Sequence, residues 1–383
     1  MFRRGKVCLI SFFTIFLILL WLQPHHLTYQ HGTITTGKEE ENKRKSKNEY
    51  ILQATREEIE NSMLIYNFST LGVKKIDNLL FRNGGKPVIN LIISSFRSGT
   101  NFLGDILNSV PSTYYHFEPL VYHGAKVIRG PPASRKALKI IKSRFKCNFY
   151  DVKKILKHDF VYKGHLSYNT RLWRHCKWDV KLCLDENFVS KFCMLFPFQV
   201  MKVDRMRLHL VEELLLEYPT NLKVILLIRD PRGVMQSRQH VHFCASDKSE
   251  CSEPAAVCSD MVMNYQAASR LNAGYPGRLI VLRFEDLALQ PELAVKQLFH
   301  SLGLHVSPSV QRFLQQHTNK NEGNQYSTFR VSKQVPFKWK YMLTFDYVRE
   351  LQESCKDAMQ LWGYRLAHNA SHMESRSFYP LDY

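Results

Sequence analysis

Residues Val88 to Ser94 read VINLIIS, a short run dominated by Ile, Val and Leu. The polar stretch Ser95-Phe96-Arg97-Ser98-Gly99-Thr100 follows, and then Phe102, Leu103, Ile106, Leu107 and Val110 recur at helical spacing until Pro111. The order is strand, glycine-containing loop, helix. A short apolar run without alternation suits a strand covered on both faces, as in a parallel sheet. The same logic returns downstream. Phe198 to Val203 is strand-like, and Leu208 to Glu217 is amphipathic and closed by Pro219. Leu222 to Ile228 (LKVILLI) is a second buried strand, with Pro231 placed to start a helix. Arg278 to Arg283 is a third such strand, followed by a helix over Pro291 to Leu302, and Phe345 to Leu361 is helical. Strands alternating with helices predict an α/β fold, a P-loop-like parallel sheet flanked by helices.

A loop between such a strand and helix is an anion site, because helix N-terminal N–H groups point outward and the dipole favours negative charge. Gly99 allows close backbone approach, Ser98, Thr100 and Asn101 add donors, and Arg97 adds a planar cationic fork. Ser98 or Thr100 would equally serve as a helix cap. GxxxxGK[ST] is absent, which counts against an ordinary P-loop kinase or ATPase. A second cationic strand end is Arg229-Asp230-Pro231-Arg232, leading to Ser237. Ligands of open α/β sheets bind outside the carboxyl ends of the strands. Two cationic ends in one sheet therefore favour a ligand with two separated anionic groups. A surface ion pair between Asp230 and Arg229 or Arg232 is the plainer reading of the second.

Val7 to Leu22 is an uncharged apolar run preceded by Arg3, Arg4 and Lys6. It reads as a single transmembrane signal anchor, residues 7–22, with residues 1–6 cytoplasmic and the rest luminal. A cleaved signal peptide is the alternative, but Trp21-Leu22-Gln23-Pro24 offers no small-residue cleavage site. Sequons at Asn67 and Asn369 and eight cysteines beyond the anchor suit a luminal body. Disulfides and buried free thiols both remain open, and no metal cluster is evident. Residues 23–85, which include KEEENKRKSKNE (38–49), read as a solvated stem. Of 383 residues, 53 are Lys or Arg and 34 Asp or Glu, a net charge of +19. Such a surface seeks anions, but no nucleic-acid-binding signature accompanies it. Lys126 to Lys163 concentrates 12 of the basic residues, either as a solvated face or as a track for an acidic glycan.

Together, Ile93-Ser94-Ser95-Phe96-Arg97-Ser98-Gly99-Thr100 and His116-Phe117-Glu118-Pro119-Leu120 resemble the 5′-phosphosulfate-binding motif of the Golgi carbohydrate 6-O-sulfotransferases. Leu222 to Arg238 resembles their 3′-phosphate-binding motif. The similarity continues through Leu282 to Leu287, Tyr326 to Arg330, and Trp339 to Tyr364. Thr100-Asn101 stand where the family usually has two serines, Lys340 stands where it usually has arginine, and Tyr122 to Cys193 matches poorly. The resemblance implies a catalytic domain over 86–367, a C-terminal tail over 368–383, and 3′-phosphoadenosine 5′-phosphosulfate (PAPS) as sulfuryl donor, with no metal. It implies a sugar hydroxyl on a glycan as acceptor and a type II Golgi membrane setting. Arg97, Ser98, Gly99, Thr100, Asn101, Arg229, Ser237 and Arg330 are then expected to bind the donor. Glu118 is expected as the base, with His116 as second candidate, and Arg97 and Lys202 as charge stabilisers. Arg205 is a weaker candidate beside Lys202. A kinase and a non-catalytic glycan-binding membrane protein are the competing functions.

Overall fold

The computed structural model describes residues 37–154, 156–157, 164–244 and 250–382. The expected anchor, residues 7–22, lies outside the described residues, and no described helix is long and apolar enough to cross a membrane.

The first helix, α1 (Gly37–Met63), carries the charged run 38–49 and then changes character. The packed unit begins at Tyr50. Thr55, Ile59 and Met63 recur every fourth residue and are buried with Ile51 and Leu52. Leu79 and Leu80 are buried too. From residue 50, then, the segment read as a solvated stem contributes core.

A five-stranded sheet follows, in the order β2-β3-β1-β4-β5. The strands are β1 (Val88–Ile93), β2 (Thr113–Phe117), β3 (Phe198–Val203), β4 (Leu222–Ile228) and β5 (Leu279–Arg283). Every neighbouring pair is parallel. Between them run α2 (Thr100–Asn108), α3 (Ala133–Phe145), α4 (Glu186–Cys193), α5 (Pro231–Arg238) and α6 (Pro254–Gly274). After β5 come α7 (Phe284–Leu289), α8 (Pro291–Leu302), α9 (Pro308–His317), α10 (Phe345–Ser354) and α11 (Ala370–Glu374). Parallel strands need such crossovers, which cover both faces of the sheet and explain the Ile/Val/Leu-rich runs of β1 and β4.

Local differences from the sequence reading have physical causes. β2 is TYYHF, polar-looking yet wholly buried because its tyrosines and histidine lie in an aromatic cluster. The helix read as continuous over 345–361 breaks at Cys355, which is bonded to Cys258 on α6. Only Glu212–Glu217 of the segment 208–217 is α-helical, after a 3-10 turn. The residues read as a C-terminal tail pack as well. Met373, Phe378 and Leu381 are buried, and Lys340 donates to the Ser375 and Phe378 carbonyls at 2.9 and 3.0 Å. That is the role of the lysine at the departing position. All eight cysteines after residue 22 pair: Cys147–Cys193, Cys176–Cys183, Cys244–Cys251 and Cys258–Cys355.

Candidate active site

The chain leaves β1 toward β2 and β3 on one side of it, then crosses to β4 and β5 on the other. The crevice at the carboxyl ends of β1 and β4 is thus the topological switch point, where ligands of such sheets bind. Both loops singled out in the sequence open there.

In the first loop Ser94 Oγ donates to the Leu227 carbonyl at 2.6 Å, tying the loop to the end of β4. Arg97 and Gly99 take left-handed backbone, with φ of 69° and 95°. Gly99 is also closely packed, since a Cβ there would lie 2.2 Å from the Phe284 ring. Gly99 is the N-cap of α2, and no side chain caps that helix. Ser98 instead shares a hydroxyl contact with Ser95 at 2.9 Å, and Thr100 donates to Asp204 at 3.0 Å. The capping alternative therefore does not occur, and the N–H groups of the first turn of α2 remain turned to the crevice.

The two motifs meet directly. Arg97 Nε donates to Ser237 Oγ on α5 at 3.0 Å, and Arg229 donates to the Arg97 carbonyl at 2.8 Å. Arg229 lies over the Phe284 ring at 4.5 Å, and its Nε is buried without a hydrogen-bond partner. Burial, partly offset by Glu285, lowers the Arg229 pKa to about 10, and burial lowers that of Arg97 too. A buried guanidinium with an orphan donor beside a half-buried one is arranged for an anion. Asp230 does not neutralise Arg229. It caps α5 and forms a fully buried pair with Arg232, which rests on the Trp339 ring at 4.0 Å. The ion pair expected at the surface is thus an internal brace.

A second cluster stands at the ends of β2 and β3. Lys202, level with Phe117 and Ile92 in the register, is buried. Its Nζ donates to Asn101 Oδ1 and Glu118 Oε1, both at 2.6 Å, and reaches Asp204 at 3.1 Å. Glu118 has a positive φ of 40°, and its second oxygen is paired with Arg205. Burial would raise the Glu118 pKa, but Lys202 and Arg205 outweigh it and hold the carboxyl well below its ordinary range. His116 is a core residue bonded to Gln199 at 3.1 Å, and burial pulls its pKa down to about 3. Arg330 donates to the carbonyls of Glu322, Asn324 and Phe329, bracing its own loop. That loop reaches the site, because the Gln325 carbonyl accepts from Arg97 at 2.7 Å.

Sequence reading did not single out Asp105, Tyr168 or Thr328, which border this cluster. Asp105 was findable, standing one helical turn beyond Asn101. Tyr168 lies in the poorly matching stretch and carries no such signal.

The residue pattern of the sulfotransferase domain matches positions 90–363, spanning the sheet and both loops. The chain belongs to the sulfotransferase family. Among proteins similar to this sulfotransferase, carbohydrate sulfotransferase 3 of Tetronarce californica is 25% identical over 335 residues, covering 75% of each chain. Carbohydrate sulfotransferase 6 of Homo sapiens is 26% identical over 334 residues, covering 74% of this chain and 82% of that one. The sulfotransferase domain from the curacin biosynthetic pathway aligns over 73% of this chain and 99% of its own, with 16% identity and a TM-score of 0.40.

Proposed function

We propose that this sulfotransferase transfers a sulfuryl group from PAPS to a sugar hydroxyl of a glycan, the 6-hydroxyl of N-acetylglucosamine, galactose or N-acetylgalactosamine. The observation that carries the reading is the junction of Arg97 and Arg229 through Ser237 beside the uncapped start of α2. The orphan Arg229 Nε and the free first-turn amides fit a ligand with anionic groups at two ends. The names of the relatives, carbohydrate sulfotransferases, support a sugar as acceptor.

When bound, PAPS supplies an activated sulfuryl group whose transfer leaves adenosine 3′,5′-bisphosphate. Arg97, Ser98, Gly99, Thr100 and Asn101 would hold its 5′ end, and Arg229 and Ser237 its 3′-phosphate. Arg330 supports this site by shaping the loop whose Gln325 carbonyl holds Arg97. Lys202 neutralises negative charge at the loop through a buried ammonium that needs no reorganisation. Glu118 accepts the proton of the acceptor hydroxyl. Its two cationic partners keep it ionised and aimed, and withdrawal of either one strengthens it as a base. The four disulfides accord with an oxidising lumen, and residues 7–22 would anchor the enzyme in the Golgi membrane as a type II protein.

The test is an acceptor panel. Desulfated glycosaminoglycans and galactose- or N-acetylglucosamine-terminated oligosaccharides are incubated with PAPS and the enzyme, and products are mapped by mass spectrometry. Sulfation at a 6-hydroxyl is expected. Products sulfated only elsewhere would reject the position, and no sulfated sugar from an enzyme that binds the donor would reject the acceptor class.

A further inference from the structure

Phe117, at the end of β2, is enclosed on both faces. The Lys202 ammonium lies 4.3 Å from its centroid, and Tyr168 stacks at 3.7 Å with the ring planes 2° apart. Two groups so close cannot share one face, so Tyr168 is the outer layer of a three-part stack. Asn108 Nδ2 fixes the Tyr168 carbonyl at 3.2 Å, while the side chain stays half-buried. The Tyr168 phenol stands in the fields of Lys202, Asp105, Glu118 and Tyr326. Burial raises its pKa, so the hydroxyl keeps its proton and can donate.

Asp105 stands one helical turn beyond Asn101, on the face of α2 whose Asn101 amide meets Lys202. Among the described residues no cation lies within ion-pair distance of it. Thr328 stands beside it. Thr328 Oγ1 lies 2.9 Å from His317 Nδ1, and the His317 ring is held between Phe313 at 4.0 Å and Phe329 at 3.7 Å. Burial raises the Asp105 pKa to about 7, so the group is costly to keep there without a polar ligand.

A pyranose presents C–H groups on its face and hydroxyls at its edge. A half-buried aromatic ring with a phenol, a hydroxyl and a carboxylate that no cation pairs, beside the Glu118–Lys202 pair, matches that chemistry. We propose that Asp105, Tyr168 and Thr328 form the acceptor-sugar subsite, in which Asp105 selects the hydroxyl pattern of a neutral pyranose. The assignment rests on the sugar-acceptor reading above.

The test separates sugar binding from donor binding and from turnover. Full-length enzyme in detergent, wild type and Asp105→Ala, Asp105→Asn and Tyr168→Ala variants, is titrated calorimetrically with adenosine 3′,5′-bisphosphate. The galactose–N-acetylglucosamine disaccharide is then followed by saturation-transfer NMR, and acceptor KM is measured where turnover occurs. Asp105→Ala and Tyr168→Ala should each weaken sugar binding about tenfold or more, with donor affinity within about twofold of wild type. Asp105→Asn, which keeps an acceptor oxygen, should recover part of the loss. Sugar binding unchanged in both Ala variants overturns the subsite, as does a donor loss equal to the sugar loss. A wild type that transfers sulfate yet shows no sugar signal also overturns it. A wild type that binds sugar but transfers nothing contradicts the proposed reaction and leaves the subsite standing.

Discussion

Glu118 illustrates how one carboxylate can be both brace and reagent. Its oxygens neutralise Lys202 and Arg205, two buried cations at the crevice, and its backbone is held at a φ of 40°. A residue held in sparsely populated backbone by its surroundings is a candidate for function. Replacement by glutamine keeps the shape but offers no basic oxygen. Turnover should fall by about 10²–10⁴, the usual worth of a general base, while adenosine 3′,5′-bisphosphate still binds. Near-normal turnover in Glu118→Gln would reject the assignment. Residue by residue, the first loop was legible in the sequence through its place in an ordered set of motifs that resembles a known family, since a helix cap explains Ser98 and Thr100 alone equally well. The contacts of those residues were not. That Arg97 meets Ser237, and that Arg229 meets the Arg97 carbonyl, depends on β1 and β4 being neighbours, which no local pattern encodes.

Among the elements, the β1 loop and α2 form the working part, and Gly99 joins them. Its φ of 95° excludes other residues without strain, and Phe284 on α7 fills the space where a side chain would stand. Gly99→Ala should displace the loop from Phe284, which is also the ring under Arg229. The expected result is a loss of about 1–3 kcal/mol in stability together with weakened bisphosphate binding. Denaturant unfolding and calorimetry measure both, and a variant matching wild type in each would show that the loop tolerates a side chain. Strands β1, β3, β4 and β5 were readable because each is rich in Val, Ile, Leu, Met or Phe over five to seven residues. β2 was hidden because its burial is aromatic and polar, with His116 bonded to Gln199.

Over the whole molecule, the catalytic crevice is backed by buried charge. Glu285 accepts from the Asp230 amide at 3.0 Å and the Tyr364 hydroxyl at 3.1 Å, behind Arg229. Burial, together with the Asp230 charge, pushes its pKa from 4.5 to about 7. The folded chain therefore holds a proton that the unfolded chain releases between those values. Stability from this group is full below about 4.5 and declines as pH rises toward about 7. Glu285→Gln should flatten that decline in a Tm-against-pH series, and a profile parallel to wild type would contradict it. Packing extends beyond residues 86–367 at both ends, and the sequence conceals it for the same reason at each. Ile51, Ile59 and Met63 at one end, and Phe378 and Leu381 at the other, are sparse apolar residues among charged ones. Their burial is decided by partners distant in sequence, such as Lys340.

All three scales converge on one claim, that Arg97 and Arg229 form a single donor site for sulfuryl transfer. The direct measurement is transfer of radiolabelled sulfate from PAPS to the sulfatable member of the acceptor panel by full-length wild type, Arg97→Ala and Arg229→Ala. Incorporation by wild type that falls to background in both folded variants is the predicted result. Incorporation that persists in either variant would contradict the claim.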